Sequence, residues 1–322
     1  MQPVFIFSLP RSGSTLVQRV LGAHPEIATV SEPWLLLPFF YALRDRGIYA
    51  EYNQDAAAAA LEDYFKCLPH GKQDYYAEIE GFAMRLHHKV VGRDVTYFLD
   101  KTPRYHLIAE DIIQAFADAK FIVLWRNPLA IIASMIETWG HGKWNLYEYK
   151  IDLFEGLAGL ANATSRYRDR LFTARYEDLV QGDSSEWERL FGYLGLSFDV
   201  SLLSKFSKTR LEGRLGDPTA VLKYGSLSTA SVEKWKTILT NPVRSAWCRH
   251  YLRWIGRDRL KLMGYDLDEL LNELDAVPAT LRRIGADLAR LAYGVAYCGL
   301  EPRIFKHKVL TLPAWHRVHI NT

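Results

Sequence analysis

Two stretches of the chain carry residue types that suit an anion. The first is Ser8-Leu9-Pro10-Arg11-Ser12-Gly13-Ser14-Thr15, placed between the apolar run Val4–Phe7 and a helical pattern holding Leu16, Val20 and Leu21. A loop between a strand and a helix start leaves backbone N–H groups free and points the positive end of the helix dipole outward. Gly13 lets a ligand approach the backbone closely. Ser12, Ser14 and Thr15 add hydroxyls, and Arg11 adds a permanent charge with fork geometry. The second stretch runs from Arg126-Asn127-Pro128 to Ser134, eight residues beyond Arg126. Arg126 leaves an apolar run, and Ser134 falls two helical turns later. The first loop is not a Walker A motif: its first glycine is missing, and Ser14 stands where that motif needs Lys.

Other reactive side chains cluster near strand ends. Glu32 follows the short return segment Ile27–Ser31, which brings it back beside the first loop. It reads as a general base, as a capping carboxylate ahead of Trp34–Phe40, or as a partner for Arg11. Lys101 lies in Asp100-Lys101-Thr102-Pro103-Arg104-Tyr105 and reads as a stabiliser of charge in the cleft or as an ion-pair partner of Asp100. Tyr176 closes the run Leu171–Tyr176 and reads as a nucleotide contact or a core tyrosine. Lys223 sits inside Gly213–Ser228, a Gly-, Ser-, Thr- and Pro-containing stretch that reads as a lid. His24 precedes Pro25 after a helix stop and reads as a turn residue.

The elements that must position these residues alternate between strand and helix. Val4–Phe7, Thr96–Leu99, Lys120–Trp125 and Leu171–Tyr176 predict strands, and Phe121–Leu124 is apolar throughout, as a buried parallel strand is. A helix is predicted over roughly Leu107–Phe116. Asn127 is a good N-cap, with Pro128 at the first helical position. The expectation is an α/β fold of three layers, a central and mostly parallel sheet flanked by helices, with a P-loop-like nucleotide-binding core. Residues from about 34 to 92 form a helical insertion beside the active site. Residues 1–265 are expected to form the catalytic domain, with 266–322 a helical and basic extension packed on the same domain.

The 322 residues suffice for a large core without disulfides or metals. Hydrophobic residues make up 49% and charged residues 24%, with a net charge of +3. That balance is too weakly basic to argue for nucleic acid, and it allows a local cationic cluster for an anionic ligand. Cys67, Cys248 and Cys298 are odd in number and widely spaced, which points to a reducing cytoplasm rather than a disulfide or zinc framework. No basic n-region precedes Val4–Phe7, and no apolar run is long enough for a transmembrane segment. Leu281, Leu288 and Leu291 with Arg282, Arg283 and Arg290 predict an amphipathic helix for docking or homo-oligomer contact rather than for a membrane surface.

Taken together, the motifs resemble those of the sulfotransferases that use 3′-phosphoadenosine 5′-phosphosulfate (PAPS). Pro10–Leu16 is similar to the family's 5′-phosphosulfate loop, and Arg126–Ser134 to its 3′-phosphate motif. With His24-Pro25, Ser31-Glu32-Pro33 and Asp100–Pro103, order and spacing are most similar to the tyrosylprotein-type and bacterial branch. The resemblance covers about residues 4–180 well and 200–260 loosely. It implies in-line transfer of a sulfuryl group from PAPS to an acceptor hydroxyl, releasing adenosine 3′,5′-bisphosphate (PAP), with no metal. It implies Glu32 as the base and donor contacts from Arg11, Ser12, Gly13, Ser14, Thr15, Arg126 and Ser134; beside these, Arg11 and Lys101 read as stabilisers of the moving group, and Tyr176 and Lys223 as further donor contacts. In the cytosolic branch a His serves as base instead, for which His24 is the nearby candidate. The competing readings are a P-loop-like kinase or nucleotide hydrolase, weakened by the missing Lys, a non-catalytic module that binds the bisphosphate, and, more distantly, a nucleic-acid-binding protein.

Overall fold

A computed structural model describes residues 1–45, 47–50, 52–181, 184–206, 209, 211, 229–301 and 319–320. Its centre is a five-stranded sheet of β1 (Gln2–Ser8), β2 (Ile27–Thr29), β4 (Tyr97–Asp100), β5 (Lys120–Trp125) and β6 (Leu171–Arg175). The strand order is β2-β4-β1-β5-β6, and every neighbouring pair is parallel. A short antiparallel pair joins β3 (Tyr49–Ala50) to β7 (His319–Ile320).

Strand alternation builds the three layers. In β1 and β5, Phe5, Phe7, Phe121, Val123 and Trp125 point to one core, while Val4, Ile6, Ile122 and Leu124 point to the other. Successive side chains of a strand face opposite ways, so a sheet covered on both sides needs apolar residues at every position. On the first side lie α4 (Lys72–Val91), α5 (Ala109–Ala115), α6 (Pro128–Thr138) and α7 (Leu157–Arg166). The rings of Phe5, Phe7 and Phe121 stack there at centroid separations of 6.0–6.3 Å. The second side is covered by α1 (Ser14–Gly22), α8 (Tyr176–Val180), α9 (Ser185–Leu194) and α10 (Leu202–Lys205).

The region expected as a helical insertion contains α2 (Leu37–Tyr41), α3 (Gln54–Phe65) and α4, together with β3. Asn53 caps α3 by accepting from the Ala56 N–H. Tyr76 of α4 donates to Asp111 of α5 at 2.7 Å, fixing the insertion to the sheet's helical layer. The helix expected over roughly Leu107–Phe116 is α5, entered through a 3₁₀ turn, Pro103–Leu107. At the C-terminal side, helix Pro242–Leu262 bends at Gly256 and packs on helices Leu267–Asp275 and Ile284–Leu300. A buried ion pair between Arg244 and Asp287, 2.7 Å, ties the last of these to the body. No helix among the described residues is long and apolar enough to cross a membrane.

The parallel arrangement brings all five strand exits to one edge. From that edge leave the Leu9–Thr15 loop after β1, Val30–Glu32 after β2, Lys101 after β4, Arg126 after β5 and Tyr176 after β6. Ligands of open α/β sheets bind at this carboxyl edge.

Candidate active site

The loop after β1 is shaped by two left-handed residues, Arg11 at φ 69° and Gly13 at φ 91°. Such conformations turn successive backbone N–H groups toward a common point, as an anion nest does. Gly13 is also the N-cap of α1, with no side-chain cap. A second constraint acts on it: a Cβ here would lie 2.3 Å from Cδ2 of Tyr176. The tyrosine ring therefore lies against the glycine and supports the loop. Ser12 is buried, and its Oγ has no hydrogen-bond partner among the described residues. An unsatisfied hydroxyl inside an anion-shaped loop matches a ligand oxygen as its partner.

Arg126 enters the same loop from β5. Its Nη1 donates to the Arg11 carbonyl at 2.8 Å and its Nη2 to the Ser231 carbonyl at 2.9 Å. The guanidinium lies 4.4 Å from the centroid of the Tyr176 ring, and Tyr176 Oη is 2.8 Å from Ser231 Oγ. Arg126 Nε is buried without a hydrogen-bond partner among the described residues. Ser134 projects from α6 into this region and accepts from Arg11 Nε at 3.2 Å, while Thr138, one turn on, accepts from Arg11 Nη2 at 3.3 Å. The two stretches singled out in the sequence thus meet in space. The helix carrying Ser134 begins as its sequence implies, with Asn127 accepting from the Leu129 N–H and Pro128 at the first position. Glu177 fixes that turn by accepting from the Asn127 N–H at 3.0 Å and from Tyr265 Oη at 2.6 Å.

On the other flank of the loop, Glu32 and Lys101 form an ion pair at 2.7 Å, and Lys101 Nζ also donates to Thr15 Oγ1 at 3.3 Å. The lysine is 1% exposed, so its charge is held in a largely water-excluded setting. Such a pair is held by mutual attraction against a desolvation cost of several kcal/mol per ion, on the order observed for buried charges. Lys101 bonds Glu32 rather than the adjacent Asp100, whose carboxylate is buried among hydroxyls instead. The other oxygen of Glu32 accepts from the Trp34 indole at 3.3 Å.

Sequence reasoning passed over several residues that line or brace this cleft. Trp34, at φ 55° and 37% exposed, is a bulky residue in a conformation usual for glycine. Trp139 lies 5.8 Å from the Arg11 guanidinium and is equally exposed. Gln18 of α1 donates to Thr29 and to the Val30 carbonyl, pinning the exit of β2. Ser231 and Thr138 complete the shells of Arg126 and Arg11. His24 is not at the cleft's chemistry: its Nδ1 accepts from the Glu26 N–H at 3.2 Å and its ring sits against Phe191, as a turn residue does. Lys223 and the Gly213–Ser228 stretch lie outside the described residues, apart from which no group of three or more His, Cys, Asp or Glu forms a metal-like cluster among those described.

A parallel sheet whose carboxyl edge holds a glycine loop at a helix start defines an α/β nucleotide-binding class. Residues 3–200 match the model of the sulfotransferase family, and the chain belongs to that family. Nodulation protein NoeE of Sinorhizobium fredii is 30% identical over 288 residues, 81% of this chain; the chain spans 65% of that relative's length. Protein-tyrosine sulfotransferase 2 of Gallus gallus is 22% identical over 89% of this chain and 70% of its own length. Among solved structures, the sulfotransferase domain from the curacin biosynthetic pathway superposes with a TM-score of 0.51 at 22% identity, covering 82% of this chain and 98% of that one. That likeness shows the P-loop-like sulfotransferase fold.

Proposed function

We propose that the chain transfers the sulfuryl group of PAPS to an acceptor hydroxyl, with Glu32 as general base. The observation that carries this reading is the placement of the Glu32–Lys101 pair against Thr15, on the same sheet edge as Arg11 and Arg126. In the reaction, the acceptor oxygen bonds to sulfur while the bond from sulfur to the 5′-phosphate oxygen breaks. The hydroxyl proton passes to Glu32, and the bonding electrons leave with PAP. Charge spreads over the transferring oxygens, so positioned cations contribute most of the stabilisation.

In this reading the N–H groups of Gly13–Thr15 and the hydroxyls of Ser12, Ser14 and Thr15 hold the 5′-phosphosulfate, with Gly13 giving access, while the Ser12 N–H closes the turn on the Leu9 carbonyl. Arg126 and Ser134 are assigned to the 3′-phosphate. Arg11, now bonded to Ser134, and Lys101 face the moving group and the bridging oxygen. Tyr176 shapes the donor site through Gly13 and Arg126, and Lys223 is assigned to closure over the donor. Both Glu32 oxygens already accept one bond, and a carboxylate oxygen has a second lone pair for the acceptor hydroxyl. The half-exposed faces of Trp34 beside Glu32 and Trp139 beside Arg11 favour an acceptor that carries its hydroxyl on a ring. The three unpaired cysteines agree with a reducing, cytoplasmic setting.

The test is transfer of labelled sulfuryl from PAPS to a panel comprising a phenol, an oligosaccharide and a tyrosine peptide. Glu32→Gln should cut turnover by about 100-fold or more, within the range of general acid–base contributions, and leave PAP affinity within about threefold. Unchanged turnover removes Glu32 from the chemistry.

A further inference from the structure

Asp100 is 1% exposed at the end of β4, next in the chain to Lys101. A lone buried carboxylate is costly, and this one is surrounded by groups with fixed hydrogen-bond polarity. The N–H of Trp34 donates to Thr102 Oγ1 at 3.3 Å, and the N–H of Leu36 donates to Tyr105 Oη at 3.2 Å. A backbone N–H can only donate, so each hydroxyl oxygen is an acceptor on that side and has one proton left to give. Both give it to Asp100: Thr102 to Oδ1 at 3.2 Å and Tyr105 to Oδ2 at 3.1 Å. The carboxylate thus receives two chains of donors that begin at Trp34 and Leu36.

Both residues follow closely on Glu32 in the chain, through Pro33. The indole of Trp34 bonds Glu32 directly, and the left-handed backbone of Trp34 is a strained state that persists only when its surroundings impose it. We infer that Asp100 is a positioning residue: through Thr102 and Tyr105 it clamps the Trp34–Leu36 backbone and so fixes the carboxylate of Glu32 at the cleft. This rests on the reading of Glu32 as the base. No contact of Asp100 with a ligand is implied.

The geometry makes the clamp sensitive to a single proton. Protonated Asp100 must donate from one oxygen; the hydroxyl there can accept it on its second lone pair but loses the carboxylate as acceptor for its own proton, so the chain on that side is weakened. The titratable groups acting on Asp100 are Tyr105 and the neighbouring Lys101, and burial is the largest influence, pushing its carboxyl up to about 7. The ionised, clamped form therefore prevails above that pH.

The test compares Asp100→Asn and Tyr105→Phe in the wild-type and Glu32→Gln backgrounds. The probes are PAPS with the best acceptor of the panel above, and PAP alone for binding. An amide at position 100 presents an N–H₂ to one hydroxyl and imitates the protonated clamp. In the wild-type background kcat should fall about 10- to 100-fold, the loss expected when a reacting group is misplaced by about an ångström. PAP affinity should stay within about threefold. The Tyr105→Phe variant, which breaks one chain without altering the carboxylate, should show a smaller fall of the same kind. In the Glu32→Gln background neither change should lower kcat further. The wild-type enzyme should also show an acid limb near pH 7 in kcat that Asp100→Asn lacks. If Glu32→Gln itself leaves kcat unchanged, the base reading fails. If Glu32→Gln lowers kcat and Asp100→Asn lowers it equally in both backgrounds, the positioning inference alone is overturned. Loss of PAP binding by both Asp100→Asn and Tyr105→Phe also overturns it, since the clamp would then support the fold or donor site as a whole.

Discussion

Replacing Gly13 by Ala perturbs the loop after β1 in two separable ways. The residue sits at φ 91°, where a non-glycine residue costs about 1–2 kcal/mol. The added methyl would also meet Tyr176 Cδ2 at 2.3 Å and Cε2 at 2.4 Å, distances at which something must shift. The ring cannot retreat freely, because its hydroxyl is bonded to Ser231 and its face lies under Arg126. Overpacking of this kind costs about 1–3 kcal/mol, so the two effects together reach about 2–5 kcal/mol. With about 2 °C lost per kcal/mol in a chain of this size, a mid-range value lowers Tm by roughly 7 °C. The displaced loop should also lose most of its affinity for PAP. Thermal unfolding and calorimetric titration would be run on Gly13→Ala, Tyr176→Ala and the double variant. In the Tyr176→Ala background the glycine change should cost about 1–3 kcal/mol less, since only the backbone penalty remains. Additive effects, or a Gly13→Ala variant with wild-type Tm and PAP affinity, would refute the close packing of ring on loop as the origin of its shape.

Other outcomes follow from the same geometry. Arg126→Ala should weaken PAP binding about 10- to 100-fold, as expected for charge-assisted hydrogen bonds of about 1.5–3 kcal/mol; fluorescence or calorimetric titration reads this directly. His87 is buried against Phe98 with a ring separation of 4.0 Å, and burial lowers its ring to about 4, with a smaller effect of His88. Its folded value lies below the unfolded 6.5, so the stability it contributes is present above that pH and is lost as pH falls through 6.5 toward 4. Denaturant titrations of wild type and His87→Leu should differ in slope across that window by a total on the order of 3 kcal/mol. Cys248 is fully buried and its thiol is pushed up by burial, whereas Cys67 is exposed. Maleimide should therefore label Cys67 in the native protein and Cys248 only after unfolding, as peptide mapping would show.

The parts of the site that could be read from sequence are those encoded locally. The loop at Arg11–Thr15 follows from a glycine between an apolar run and a helical pattern, the Asn127-Pro128 helix start from capping chemistry, and both are found where their residues place them. The sheet was legible for the same reason: Phe121–Leu124 and Val4–Phe7 have no polar face to expose. What was not legible depends on distant contacts. Ile27–Thr29 is too short to show alternation and is a strand only because it pairs with β4, with Thr29 donating to the Leu99 carbonyl. Tyr176 stands at the strand end as expected, but it opens α8, and its ring under Gly13 is visible only in three dimensions. The pairing of Lys101 with Glu32 rather than Asp100 likewise turns on two hydroxyls, Thr102 and Tyr105, that satisfy Asp100 first. The strain at Trp34 has no sequence signature, since nothing local favours that backbone for tryptophan.

A doubly phosphorylated adenosine is expected to lie across the Arg11–Thr15 loop and the Arg126–Ser134 turn. Isothermal titration of the purified chain with PAP, in the presence of EDTA and again with magnesium, addresses it without knowledge of the acceptor. One site per chain, micromolar or tighter, indifferent to EDTA and poorly competed by ATP with magnesium, is the expected result. Absence of PAP binding, or tighter and magnesium-dependent binding of ATP, would contradict the account.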